Sequence, residues 1–131
     1  MEKIYKTDAE WRAQLSPEAY KILRKHATER AGTGPNSDSK EKGTYVCAAC
    51  GLRLFSSEAK YDSGTGWPSF YAPIEKQNVE TKDDSSLFTR RTEVHCARCE
   101  GHLGHVFPDG PKPTGLRYCM NGYAMKLEKA E

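Results

Sequence analysis

Five cysteines fall into a pattern of four plus one. Cys47-Ala48-Ala49-Cys50 and Cys96-Ala97-Arg98-Cys99 are two Cys-x-x-Cys pairs, and Cys119 stands apart. A tight turn inside each pair puts two thiolates on one side of the chain. Two such turns complete a tetrahedron of sulfur, an arrangement that zinc favours. The gap between the pairs, about 45 residues, exceeds the common spacing of roughly 15–20, so ligand number carries this reading rather than spacing. Two other readings compete. A thioredoxin-like redox pair calls for a βαβ context, which neither pair has, and the thiols could simply be buried. His102 and His105 follow Cys99 closely, but four thiolates already fill a closed site. A Cys2His2 finger also needs a longer stretch between its pairs.

Cys119 lies in Gly115-Leu116-Arg117-Tyr118-Cys119-Met120-Asn121. A lone cysteine in an alternating strand is by default a small core residue. Its company argues for chemistry: Arg117 and Asn121 each lie two residues away, on the same face of a strand, and a guanidinium favours the thiolate. The gain is bounded. A thiol of ordinary pKa is roughly 3% ionised at pH 7, and lowering that pKa by about two units raises the fraction about 25-fold. Lost nucleophilicity cancels most of this, leaving a few-fold. A poor electrophile must therefore be activated by something else. His102-Leu103-Gly104-His105 offers a proton donor, with the alternative that one histidine is structural. Asp109 is near enough in sequence to orient an imidazole. Trp67, in Gly66-Trp67-Pro68-Ser69-Phe70, is a core plug or a pocket wall. The preceding glycines allow a ligand to approach closely, which favours the wall.

These groups need elements to position them. Thr7 and Glu10 fit a capping box for a short helix near Asp8, and Ser16-Pro17 is a second helix start, expected to run to about Arg30. Residues 31–43, rich in Gly, Ser, Asn, Asp and Lys, read as an exposed connection. Beyond Thr44 the chain breaks into short strand-like runs: 44–46, 52–55, 86–90, 93–95, 105–107, 116–119 and 123–127. Gly and Pro clusters punctuate them. The expected architecture is mainly β, a compact antiparallel domain of two small sheets with an N-terminal helical arm. The whole chain reads as one domain, with arm and connection at 1–43 and a zinc-bearing catalytic core at 44–131.

Composition narrows the function. Twenty basic and 18 acidic residues give a net charge of +2, with no electrostatic reason to bind nucleic acid or an anionic membrane. No apolar run is long enough to span a bilayer, and the first residues lack a secretory signal. The cytoplasm is the expected location, where thiols stay reduced and paired cysteines more often hold metal. The hydrophobic fraction of 37% is lean, so a metal has room to supply part of the folding energy.

Five motifs in order then form a recognisable set. Cys47-x-x-Cys50, Gly66–Phe70, Cys96-x-x-Cys99, His102–Phe107 and Pro113–Asn121 together resemble the methionine sulfoxide reductase B family, from about Tyr45 to the C-terminus. The resemblance implies a β-rich fold with one structural zinc, and thiol-dependent reduction of the R epimer of methionine S-oxide, in peptides and free. It implies Cys119 as nucleophile, His102, His105, Asp109, Arg117 and Asn121 as the polar site, and Trp67 against the thiomethyl group. One position departs from many members of the family: Thr65 replaces a resolving cysteine between Gly64 and Gly66. The Cys119 sulfenic acid then needs an external reductant, thioredoxin or glutathione with glutaredoxin. A monomer is expected. A zinc-ribbon binding module without catalysis explains the paired cysteines but not Cys119, Arg117 and the histidines. A peroxidase on the same architecture has no need of Trp67.

Overall fold

The computed structural model describes residues 1–86 and 89–130. The capping box forms: the Thr7 side chain accepts from the Glu10 N–H and the Glu10 carboxylate accepts from the Thr7 N–H, opening α1 (Asp8–Gln14). Ser16 caps α2 (Pro17–Lys25), with Pro17 in the first turn. Helix α2 ends five residues before Arg30, because His26 turns into the left-handed region at φ 58°. Glu29 is then buried, its N–H donating to Asn121 Oδ1 at 3.0 Å. That tertiary bond is incompatible with a continued helix and overrides local propensity.

Among the described residues nine strands follow: β1 (Gly43–Cys47), β2 (Arg53–Ser56), β3 (Lys60–Tyr61), β4 (Ser69–Phe70), β5 (Val79–Ser86), β6 (Thr89–Cys96), β7 (His102–Phe107), β8 (Arg117–Met120) and β9 (Met125–Lys129). They build two antiparallel sheets, a three-stranded one ordered β2-β1-β9 and a six-stranded one ordered β3-β4-β8-β7-β6-β5. The expected mainly β class with two small sheets holds. The run 86–90, read as one strand, instead divides: Ser86 ends β5 and Thr89 opens its antiparallel partner β6, while Leu87 and Phe88 lie outside the described residues. Strand β5, Val79-Glu-Thr-Lys-Asp-Asp-Ser-Ser86, escaped the sequence reading because it is nearly all polar. It is an edge strand, where charge is common and protective.

The core joins arm and sheets. Phe55 and Phe70 stack at 4.5 Å between ring centroids and Tyr45 meets Phe70 edge-on, bridging the two sheets; burying each such ring stabilises by about 1.5–3 kcal/mol. Trp11, Tyr20, Ile22 and Leu23 of the helices belong to the same cluster. Two glycines set the spacing near the cleft described below. A Cβ on Gly104 of β7 would lie 2.1 Å from the Cys119 carbonyl of β8, so only glycine allows these strands to pair so closely. Gly66, at φ 88°, lets the connection pass over: the Gly32 N–H donates to its carbonyl at 2.7 Å. The stretch after α2 is largely exposed, as expected, yet it works as a strap across the β core.

Candidate active site and cysteine cluster

The two Cys-x-x-Cys pairs are the turns that close β1–β2 and β6–β7. Each folds alike: the Gly51 N–H donates to Cys47 O at 2.8 Å, and the Glu100 N–H donates to Cys96 O at 2.9 Å. Residues 51 and 100 both adopt positive φ. The turns bring Cys47, Cys50, Cys96 and Cys99 together, with all four sulfurs within 4.8 Å of one another. Cys47 and Cys99 are 3.7 Å apart, and Cys50 and Cys96 are 3.5 Å apart. A tetrahedron with Zn–S bonds of about 2.3 Å has edges of about 3.8 Å. The four thiols thus fit a zinc ion in number, type and spacing. Helix α2 braces the second turn, Arg24 donating to the Cys99 carbonyl at 2.9 Å.

Cys119 sits elsewhere, in mid-strand. Its cross-strand partners are His105 on β7 and Ser69 on β4, and directly opposed residues share a face of the sheet. It opens into a cleft of ≈ 320 Å³ with Trp67, His105, Arg117, Asn121 and Thr65. A larger groove of ≈ 820 Å³ runs beneath residues 37–44, but its lining holds neither cysteine nor histidine. Arg117 favours the Cys119 thiolate, as expected, but burial outweighs it. Burial raises the Cys119 pKa above its ordinary value, and Arg117, Thr65 and Ser69 only partly offset it. The reason is visible in Arg117, whose guanidinium is paired with Asp109 at 2.9 and 3.2 Å and lies 4.3 Å from the Phe107 ring.

Asp109 therefore serves Arg117 and not an imidazole, as its sequence position had suggested. The histidines find other carboxylates. His105 Nε2 lies 2.9 Å from Asp84 Oδ2, and this bond holds the Asp84 carboxyl below its usual range. His102 Nδ1 lies 2.7 Å from Glu93 Oε2, and burial lowers the His102 pKa. Only His105 lines the cleft; His102 stands behind it, ring centroids 5.4 Å apart. Asn121 borders the cleft with its amide already committed, accepting from the Glu29 N–H and donating to Leu103 O at 3.0 Å.

Sequence reasoning missed Asp84, Glu93, Arg91 and the strap. Asp84 and Arg91 face one another across the β5–β6 hairpin, and nothing local marks them. Glu29 carries no motif, yet it binds three parts of the site: its N–H holds Asn121, its carbonyl accepts from Trp67 Nε1 at 3.0 Å, and its carboxylate accepts from the Tyr123 N–H. Thr28 beside it lines the cleft.

The SelR domain model matches residues 15–129. The peptide methionine sulfoxide reductase MsrB of Thiobacillus denitrificans is 60% identical over 122 residues, covering 93% of this chain and 92% of the relative. The MsrB of Agrobacterium fabrum is 57% identical over 126 residues, 96% and 93% of the two chains. That of Leptospira interrogans is 54% identical over 127 residues, 97% of each. With the model and the relatives matched across nearly its whole length, this chain belongs to the SelR domain family, alongside the MsrB-type peptide methionine sulfoxide reductases.

Proposed function

We propose that this protein reduces the R epimer of methionine S-oxide, in peptides and as the free amino acid, to methionine, using Cys119 as nucleophile and an external thiol as reductant. The observation that carries the reading is the cleft itself: a thiol on β8 opposite His105 on β7, with an aromatic wall at Trp67. A methyl sulfoxide needs those three things, a surface for the methyl, a proton for the oxygen and a nucleophile for the sulfur.

Trp67 holds the thiomethyl group, fixed by its indole bond to the strap. His105, oriented by Asp84, protonates the sulfoxide oxygen; His102 backs that ring from the layer behind. This activation matters more than the thiol's own ionisation, since burial works against the thiolate. The Cys119 thiolate attacks the protonated sulfoxide at sulfur; the hydroxyl then passes from that sulfur to the Cys119 sulfur, its bond to the substrate breaking, so that methionine leaves with the electron pair and Cys119 is oxidised to sulfenic acid. One thiol condenses with it to a mixed disulfide and releases water; a second thiol frees Cys119 and carries away the disulfide. Arg117, held by Asp109, and Asn121, held by Glu29 and Leu103, shape the cleft wall. The four paired cysteines hold one zinc, whose contribution is structural. Thioredoxin, or glutathione with glutaredoxin, supplies the electrons, in a reducing compartment such as the cytoplasm. The chain acts as a monomer and one domain.

The test is an assay of R and S methionine sulfoxide with a thiol reductant. Wild type is expected to consume the R epimer only and Cys119→Ser neither. Equal consumption of both epimers, or turnover by Cys119→Ser, contradicts the reading.

A further inference from the structure

A second cluster of metal-ligating side chains gathers around one buried carboxylate. Glu93 on β6 has a side chain only 3% exposed. Its Oε2 lies 2.7 Å from His102 Nδ1 and 3.1 Å from His26 Nε2. Its Oε1 lies 3.3 Å from His95 Nδ1 and 3.8 Å from Lys82 Nζ. The rings of His26 and His102 are 5.1 Å apart between centroids. These groups come from the end of α2 and from β5, β6 and β7, so the fold assembles what the sequence scatters.

Two observations set this cluster apart from an ordinary ion pair. A buried anion requires a partner, yet Lys82, the one fixed cation beside it among the described residues, is 63% exposed and beyond hydrogen-bond reach. In addition, a single carboxylate oxygen, Glu93 Oε2, faces two imidazole nitrogens at once, His102 Nδ1 and His26 Nε2. A proton satisfies one pair at a time, whereas a divalent ion can take a carboxylate oxygen and two imidazole nitrogens together.

We infer that His26, Glu93 and His102 form a second metal site, for a divalent first-row transition ion such as zinc, separate from the cysteine quartet. Their ligand atoms all lie within 4.8 Å of one another. Metal bonds of about 2.0–2.2 Å place tetrahedral ligands about 3.4 Å apart, so the two contacts to Glu93 Oε2, 2.7 and 3.1 Å, lengthen by less than about an ångström to admit the ion. The exposed ring of His26, 58% accessible, supplies that freedom and leaves a position for solvent. Two nitrogens to one oxygen disfavour magnesium and calcium, which take oxygen donors. His26 is also delivered at a backbone cost, in a left-handed helix-end position where Gly or Asn is usual. An ion here staples the start of the strap to β6 and β7 and restrains His102 against His105.

The site is tested on tag-free protein, isolated with its quartet filled, by dialysis against micromolar zinc and elemental counting of bound metal. Two zinc ions per chain are expected for wild type and for Cys119→Ser, and one for His26→Ala. The melting temperature should rise with the second ion in wild type and stay fixed in His26→Ala, whose exposed side chain can be removed without unfolding the chain. Wild type saturating at one ion overturns the site, as does His26→Ala retaining two at unchanged affinity. Loss of the second ion in Cys119→Ser would assign it to the cleft thiol and overturn it equally.

Discussion

The cysteine quartet and Cys119 use the same side chain for opposite ends. The quartet sits on two turns, its sulfurs facing one another at 3.5 and 3.7 Å across the closest pairs, with three of the four residues buried. Cys119 sits in a strand, half-buried, facing an indole, an imidazole and hydroxyls. A closed ring of thiols has no position left for a substrate, and in the proposed account it serves as a crosslink through a bound metal. A thiol in an open cleft, with hydroxyls and a guanidinium beside it rather than a ring of sulfurs, is open to a substrate. In that account, what separates structural from chemical sulfur is the number of other sulfurs within reach.

The largest effect that sharpens this contrast is on folding. Structural zinc contributes roughly 10–16 kcal/mol in small sites, comparable with the whole stability of a domain, about 5–15 kcal/mol. Cys47→Ser should therefore give insoluble or unfolded protein by circular dichroism, while Cys119→Ser keeps its zinc content and melting temperature. If Cys47→Ser melts like wild type, the quartet is not a structural crosslink. Next comes the cleft: His105→Ala should slow the sulfoxide-reduction step about 10²–10⁴-fold, as for loss of a general acid, measured in single-turnover kinetics. An unchanged single-turnover rate removes His105 from the chemistry.

Much of this contrast was legible in the sequence, for reasons that differ by region. Paired cysteines at i and i+3 encode their turn locally, so the quartet could be read without the fold. The capping box at Thr7 and the Ser16-Pro17 helix start are likewise local. The cleft was legible only as a set of candidates. Cys119, Arg117 and Asn121 share a face by strand alternation, but their partners depend on register between strands distant in sequence. That is why Asp109 was assigned to an imidazole, when β5 and β6 supply Asp84 and Glu93 for that purpose. The end of α2 and the role of the strap were illegible because Glu29 is fixed by residues more than ninety positions away.

Smaller effects probe the cleft's surroundings. Thr65 lines the cleft with Cys119, so Thr65→Cys should restore an internal disulfide, counted by loss of two free thiols after turnover, and should speed turnover with a dithiol reductant. Retention of both thiols would show that position 65 cannot reach. The smallest effect concerns two buried carboxylates that shift in opposite directions. Burial raises the Glu29 pKa, only partly opposed by backbone N–H groups of Tyr123 and Gly122. Burial also raises Glu93, but His102, Lys82 and His26 together bring it below the ordinary value. Folded Glu29 thus holds its proton more tightly than in the unfolded chain, and stability is lost as pH rises from 4.5 through the folded value. Glu29→Gln keeps an acceptor for Tyr123 and cannot ionise. Its melting temperature relative to wild type should rise between pH 4 and pH 7; a difference that is flat or falls with pH contradicts the shift.

The central claim is that Cys119 alone carries the redox step while the other four cysteines stay on the metal. Its most direct test is mass spectrometry after one turnover with methionine R-sulfoxide and no reductant. One methionine per chain is expected, with an added oxygen or a trapped sulfenic-acid adduct on Cys119, four cysteines still protected by zinc, and no internal disulfide. A disulfide between Cys119 and any of Cys47, Cys50, Cys96 or Cys99 would contradict both the single-cysteine chemistry and the structural role of the quartet.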